Sequence, residues 1–308
     1  MGKIAFIFSG QGAQAPGMGR SLFDTSAAAR SVFELADRVR PGTSAQCFTG
    51  TAEELTVTEN TQPCLFCVDL AAAAALREAG VSPELLAGFS LGELAALACS
   101  GALSEEDAFR LVVKRAQHMQ MASQSISAAM VAVLKLDDET VIGLCDGIDN
   151  VYPVNFNSPG QVVVAGEVAA LETLKERVKE AGGKAMPLKV GGGFHSPFMA
   201  PAADAFFHEL DPVLFTPPTV PLYANVTAKP YEDDFKDLLA RQIKSPVQWS
   251  KTIENMIGNG ADTFIECGPG KVLSGLVARI SDKVRVFNVE DAESLQKTAA
   301  EVARHDQG

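Results

Sequence analysis

Leu85-Leu86-Ala87-Gly88-Phe89-Ser90-Leu91-Gly92-Glu93-Leu94-Ala95-Ala96-Leu97-Ala98 passes from an apolar, strand-like run, through a serine with glycines two residues to either side, into an apolar, helix-forming run. This is the pattern of a sharp strand-to-helix turn. A side chain at Gly88 or Gly92 would strike the neighbouring backbone, and glycine also tolerates the strained dihedrals such a turn needs. The turn lifts the Ser90 hydroxyl clear of a sheet and sets it at a helix N-terminus, where free N–H groups stabilise negative charge. The same short string also occurs by chance. The strand before it and the helix after it are what favour a nucleophile.

A bare hydroxyl needs a base to become a nucleophile. Among the histidines, His305 falls in a polar C-terminal stretch, and His118 and His208 lie inside helical patterns, where a packed or solvated ring is the plainer reading. His195 follows a strand-like run, Lys184–Val190, and the glycine-rich Gly191-Gly192-Gly193-Phe194, and it precedes Ser196-Pro197, which opens a helix. Strand-end loops are where catalytic groups are displayed. In hydrolases built on this kind of turn the base follows the nucleophile in the chain. Position alone leaves a loop histidine without a role as the alternative.

Arg115 is the third informative residue. Ser104-Glu105-Glu106-Asp107 reads as a capped helix start with an acidic first turn. The helix would bury Ala108, Leu111, Val112, Met119 and Ala122, and its periodicity puts Arg115 inside that apolar stripe. A guanidinium there needs an anionic partner. Three readings stand: an ion pair with a protein carboxylate, a snorkelling side chain, or a fork for a substrate carboxylate.

With these residues in place, the chain resembles the malonyl-CoA:acyl carrier protein transacylases and the related acyltransferase domains of fatty acid and polyketide synthases. The resemblance runs to about residue 290 and rests on an ordered set of motifs. These are Phe8-Ser9-Gly10-Gln11-Gly12-Ala13-Gln14, Gly88 to Glu93, Lys114-Arg115-Ala116, Asn157-Ser158-Pro159-Gly160-Gln161, Phe194-His195-Ser196, Tyr223-Ala224-Asn225-Val226-Thr227, Pro246-Val247-Gln248-Trp249 and Gly268-Pro269-Gly270-Lys271-Val272-Leu273. Each motif is weak alone; the order is specific.

The resemblance implies that Ser90 is acylated, His195 is its base, and Arg115 holds the free carboxylate of malonate. It implies an oxyanion hole from the backbone N–H groups of Gln11 and Leu91, with Asn157 and Phe194 lining the substrate site. Gln248 would orient the histidine through its backbone carbonyl. In the family's synthase domains, phenylalanine just before this histidine accompanies malonyl selection and a small residue accompanies methylmalonyl. The implied substrates are malonyl-CoA and a holo acyl carrier protein, with no cofactor and no metal. The chain departs from the family at Phe89, where histidine is usual; that histidine is not the base, so activity is still expected. No Asp or Glu stands out as a third triad member. The nearest, Glu266, reads as fixing the turn at Gly268-Pro269-Gly270.

Gly10-Gln11-Gly12-Ala13-Gln14-Ala15 matches a permissive dinucleotide fingerprint. Pro16 and Gly17 interrupt the helix this fingerprint needs, and the acids about 20 residues on, Glu34 and Asp37, lie within a helical stretch, so that reading is rejected.

The remaining features set bounds. A length of 308 residues suggests about two domains. No signal peptide and no apolar run long enough to span a membrane is present, which points to a cytoplasmic protein without a membrane partner. The net charge of −12 argues against nucleic acid. Cys64-x-x-Cys67 lacks a second ligand pair, so buried, reduced thiols are expected. The expected fold is α/β, a hydrolase-like large domain with a parallel sheet, over 1–126 and 191–308, with an inserted ferredoxin-like unit over 127–190. The insert reads as strand 128–134, helix 137–145, strands 151–157 and 161–165, helix 168–181 and strand 184–190, a β-α-β-β-α-β order. The stretch after Val289 reads as a peripheral tail. The active site is expected in a cleft between the two units.

Overall fold

A computed structural model describes residues 2–305. Its nine strands form two sheets: β1 (Lys3–Phe8), β2 (Leu85–Gly88), β3 (Ala128–Leu134), β4 (Val151–Ser158), β5 (Gln161–Glu167), β6 (Lys184–Pro187), β7 (Leu222–Tyr223), β8 (Ala261–Cys267) and β9 (Arg285–Val289). The larger sheet has the order β7-β2-β1-β8-β9, and every pairing in it is parallel. Its central strand explains the continuous apolar run Ile4–Phe8. Phe6 and Phe8 enter one core and Ala5 and Ile7 the opposite one, as expected of a parallel strand covered on both faces. In register, Phe8 lies beside Gly88 on one side and Cys267 on the other. The carboxyl ends of β1, β2 and β8 therefore come level, and the loops after them meet where open α/β sheets bind ligands.

The smaller sheet has the order β4-β5-β3-β6, all antiparallel. Its elements follow the expected β-α-β-β-α-β succession, with helices Asp138–Cys145 and Val168–Glu180. Val131, Val133, Val162 and Val164 pack under Val141, Leu171, Leu174 and Val178 on one face. On the other face Met130, Ala132, Val163 and Ala165 join the main core. β4 is tied to the rest of the chain by backbone bonds between Phe156 N–H and the Val247 carbonyl (2.9 Å) and between Val247 N–H and the Val154 carbonyl (2.8 Å). β6 is shorter than expected: the ladder continues only to the Leu188 N–H on the Met130 carbonyl, and Lys189 and Val190 already belong to the loop.

The stretch after Val289 is not peripheral. It forms the helix Ala292–His305, which buries Thr298 and Val302 and packs Leu295 and Ala299 on the main core. Its polar composition hid an amphipathic helix whose apolar positions are few but aligned. All six cysteines are buried free thiols. Among the described residues, no helix is long and apolar enough to cross a membrane.

Candidate active site

Ser90 sits in the turn between β2 and the helix Gly92–Ser100, with φ of 54°, in the left-handed region that costs a non-glycine residue energy. The flanking glycines are sterically required. A Cβ on Gly88 would come within 2.0 Å of the Gly92 backbone, and one on Gly92 within 2.4 Å of the Phe8 carbonyl oxygen. The strained residue is gripped from both sides: Ser90 N–H donates to Asn225 Oδ1 (2.7 Å), and its carbonyl accepts from Gln242 Nε2 (2.8 Å).

His195 is brought to Ser90 across 105 residues of chain, with its Nε2 2.7 Å from Ser90 Oγ. Its φ is also positive, at 61°. Nδ1 lies 2.8 Å from the Gln242 backbone carbonyl. A carbonyl only accepts, so Nδ1 carries the hydrogen and Nε2 presents its lone pair to the serine hydroxyl. Burial, followed by the nearby Arg115 charge, pushes the imidazole pKa down to about 4. The ring is therefore neutral near pH 7, the state a general base needs.

The carbonyl that orients the ring is Gln242's, not Gln248's. Gln248 caps the helix Trp249–Gly258; its carbonyl accepts the backbone N–H and the hydroxyl of Thr252 (both 2.9 Å), and its N–H donates to the Asn225 carbonyl. That carbonyl is committed to the first turn of its own helix.

Arg115 lies on the helix Glu105–Gln124 in the apolar stripe where its spacing put it, and is fully buried. The three readings left open by sequence resolve against a protein ion pair and against snorkelling. Its contacts are neutral: Nη1 donates to Gln62 Oε1 (2.7 Å), and Nη2 to Gln242 Oε1 (2.7 Å) and Ser90 Oγ (3.2 Å). Among the described residues no carboxylate lies within ion-pair distance, and Nε has no partner. Burial lowers its pKa to about 10, opposed by the charge of Glu93, so the guanidinium stays charged near neutrality.

Ser90, His195, Phe194 and Gln11 line one cavity of about 70 Å³, together with Met119 and Met130. It adjoins a cleft of about 200 Å³ between the two sheets, lined among others by Asn155, Asn157, Gln161 and Leu273; Gln11, Phe89, Asn155 and Leu188 border both. Asn157 thus stands along the approach and not at the serine. Its Oδ1 and that of Asn155 are buried without partners. The Gln11 side chain is held by Thr58 Oγ1 (3.3 Å). Neither Gln11 N–H nor Leu91 N–H donates to a backbone carbonyl among the described residues. Glu266 accepts from the N–H groups of Leu273 (3.0 Å) and Ser274 (2.7 Å), so it holds the start of the helix after the turn, while the turn's Gly270 N–H is held by Glu290 (2.9 Å). Phe89 packs edge-on against Trp249, ring centroids 5.4 Å apart, so the chain's departure at this position is accommodated by an aromatic pair.

Gln62, Glu93 and Gln242 were not foreseen as site residues. Gln242 did carry a signal: it sits among Phe235, Leu238, Leu239 and Ile243 on the buried face of its helix, as Arg115 does on its own. An amide in an apolar stripe needs polar partners.

The profile of the acyl transferase domain family matches residues 5–304. Malonyl CoA-acyl carrier protein transacylases of Bacillus subtilis and Escherichia coli strain K12 are each 40% identical to the chain, over 304 and 310 residues, covering 96% of this chain in both cases and 96% and 98% of theirs. The crystal structure of the transacylase of that name from Clostridium perfringens superposes with a TM-score of 0.95 at 39% identity, over 99% of this chain and 98% of that one. A malonyl-transacylase in complex with a type II PKS acyl-carrier protein superposes at 0.93 with 36% identity, over 97% and 99%. The chain belongs to the acyl transferase domain family, alongside the malonyl CoA-acyl carrier protein transacylases.

Proposed function

We propose that the protein transfers the malonyl group of malonyl-CoA to the phosphopantetheine thiol of an acyl carrier protein, through a Ser90 ester. The observation that carries this reading is the buried Arg115 guanidinium, 3.2 Å from Ser90 Oγ and, among the described residues, without a carboxylate at ion-pair distance. A charge so placed calls for an acyl group that brings its own anion.

Ser90 Oγ attacks the thioester carbonyl as its proton passes to His195 Nε2. The oxyanion is held by the N–H groups of Gln11 and Leu91. The intermediate collapses, the C–S bond breaks, and the CoA sulfur leaves with the proton from His195. The carrier thiol then gives its proton to His195 and attacks the ester, and Ser90 recovers its hydrogen as it leaves. The Gln242 carbonyl stabilises the imidazolium that forms in each half, in place of a triad carboxylate. Phe194 faces the acyl group, and Asn157 lines the path of the pantetheine arm. Two units fit this chemistry: a catalytic unit over 1–126 and 191–308, and an insert over 127–190 whose sheet supplies one wall of the cleft. The reaction suits the cytoplasm, where CoA esters and carrier proteins meet.

Intact-mass analysis with malonyl-CoA, with and without holo carrier protein, tests the reading. The expected result is a malonyl adduct that is stable until carrier protein is added and then moves to it. Rapid loss of the adduct to water would make the protein a hydrolase; no adduct at all would make it a binding subunit.

A further inference from the structure

Glu93 is fully buried in the first turn of the helix after Ser90, and the mechanism above does not use it. Its carboxylate accepts hydrogen bonds only from outside its own helix. Oε2 takes the Asn225 N–H (3.2 Å) and one hydrogen of Gln242 Nε2 (2.8 Å), and Oε1 takes the Tyr231 hydroxyl. The other Gln242 Nε2 hydrogen goes to the Ser90 carbonyl (2.8 Å). Both donors of that amide are thereby spent, and its Oε1 must face Arg115 Nη2 (2.7 Å). Asn225 is fixed in the same way: Nδ2 donates to the Gly88 carbonyl (2.6 Å), which leaves Oδ1 to accept Ser90 N–H.

We propose that Glu93 is a positioning residue: by accepting Gln242 Nε2 on Oε2 it fixes the side-chain amide that holds the Ser90 carbonyl, and through Gln242 it aims Arg115 at the acyl group. An amide can be turned over with little change of shape, and a turned Gln242 would point N–H groups at a guanidinium. An acceptor-only partner removes that alternative. The role belongs to acceptor geometry and not to charge alone. Burial raises the Glu93 carboxyl to about 7, yet a proton placed on Oε1 toward Tyr231 leaves Oε2 free to accept both bonds. The charged and titratable groups that act on it are Tyr231 and Arg115.

The inference rests on Ser90 being the acylated residue, and the two ideas fail differently. If Ser90 is not acylated, the wild type gives no adduct there; if only the role of Glu93 is wrong, wild-type labelling stands and the variants below match it. The measurement is the rate of acylation by malonyl-CoA, followed by rapid quench and intact mass, on protein whose fold is checked by circular dichroism. Glu93→Met keeps length and suits a buried site but accepts nothing. Its maximal acylation rate is expected to fall by ~10²-fold, the scale for mispositioned transition-state donors, with half-saturation by malonyl-CoA within about threefold of wild type. Glu93→Gln is expected to recover the rate to within roughly fivefold, since its amide oxygen replaces Oε2 as acceptor for both bonds. Gln242→Met, which retains the backbone carbonyl for His195, should fall as far as Glu93→Met, and the double variant should be no slower than Gln242→Met alone. A folded Glu93→Met protein acylating within about threefold of wild type, a Glu93→Gln protein as slow as Glu93→Met, or multiplying losses in the double variant would each overturn the proposal. Should Glu93→Met not fold, Gln242→Met decides: a near-wild-type rate there removes the residue through which Glu93 is said to act.

Discussion

Arg115 Nη2 lies 3.2 Å from Ser90 Oγ, and the same nitrogen is held at 2.7 Å by the Gln242 side-chain oxygen. Ser90 and the buried Arg115 are thus fixed in one hydrogen-bonded frame. On the proposed reading, a three-carbon diacid esterified to Ser90 would carry its free carboxylate toward the guanidinium, and an acetyl group would leave that charge unanswered. Arg115→Ala is expected to abolish the preference for malonyl over acetyl groups, a shift of about 2–4 kcal/mol in discrimination, because a site built around a buried charge loses most when its partner is absent. Competition between the two CoA esters measures it. An unchanged malonyl preference would mean the carboxylate is read elsewhere.

Phe194 lines the small cavity at Ser90 and His195, where a second, smaller selectivity is expected of it. Phe194→Ser is expected to relax discrimination between malonyl and methylmalonyl esters by about 1–3 kcal/mol, the scale for one methyl group in a pocket. The acetyl-to-malonyl ratio should stay put. If that ratio moves as far as the methyl discrimination does, the ring supports Arg115 and does not shape the pocket.

Ser90→Ala should give no malonyl adduct by mass, while variants of Cys64, Cys67 and Cys99, whose thiols are all buried, should label as the wild type does. Labelling that survives loss of the serine would sink the ester mechanism. His195→Ala should slow acylation by ~10² or more, the usual loss for a positioned base.

The low pKa of His195 has two readable consequences. The base stays unprotonated well into acid, so the acid limb of the acylation rate should fall at about pH 4 and not near 6.5. Stability carries the opposite side of the same linkage. An unfolded chain takes up this proton at about 6.5 while the folded one refuses it until about 4, so the wild type loses stability as pH falls through that window. His195→Ala lacks the effect, so its melting temperature relative to wild type should rise as pH drops from about 6.5 to 4. A constant difference across that range, or an acid limb near 6.5, would show the ring to be open to solvent.

Carrier proteins that are acidic must find local positive charge on a chain whose own net charge is −12. Lys271 caps the helix whose Val272 and Leu273 line the cleft, and Arg279 on that helix donates to the cleft residue Gln161 (2.6 Å). Lys184 and Lys189 flank the opposite wall, next to the exposed Met186 and Leu188, and Lys283 lies beyond the helix. Reversing Lys271 and Arg279 together, or Lys184 and Lys189 together, should raise the Michaelis constant for carrier protein in one case and leave that for malonyl-CoA alone. Equal effects on both substrates, or none from any pair including Lys283, would count against electrostatic docking at this mouth.

Local pattern determined a great deal of this protein. The glycine spacing around Ser90 specified the turn because the steric clash at Gly88 and Gly92 is with backbone only a few residues away or on the adjacent strand. The 128–190 succession announced its antiparallel sheet, and the helical period placed Arg115 in a buried stripe. Each of these is a statement about which face a residue occupies, and periodicity reports faces. What meets on those faces was decided only by the tertiary structure. Gln242 and Gln248 are six residues apart, and nothing local says whose carbonyl turns to the histidine; the Gln248 carbonyl takes two bonds from Thr252 in a helix start, whereas the Gln242 carbonyl, at a helix end, takes only a long bond from Ser245 N–H (3.4 Å) and gives its short one to His195. Gln62 and Glu93 were invisible for the same reason: a buried amide or acid is recognised by its partners, and those partners lie 53 and 149 residues away along the chain.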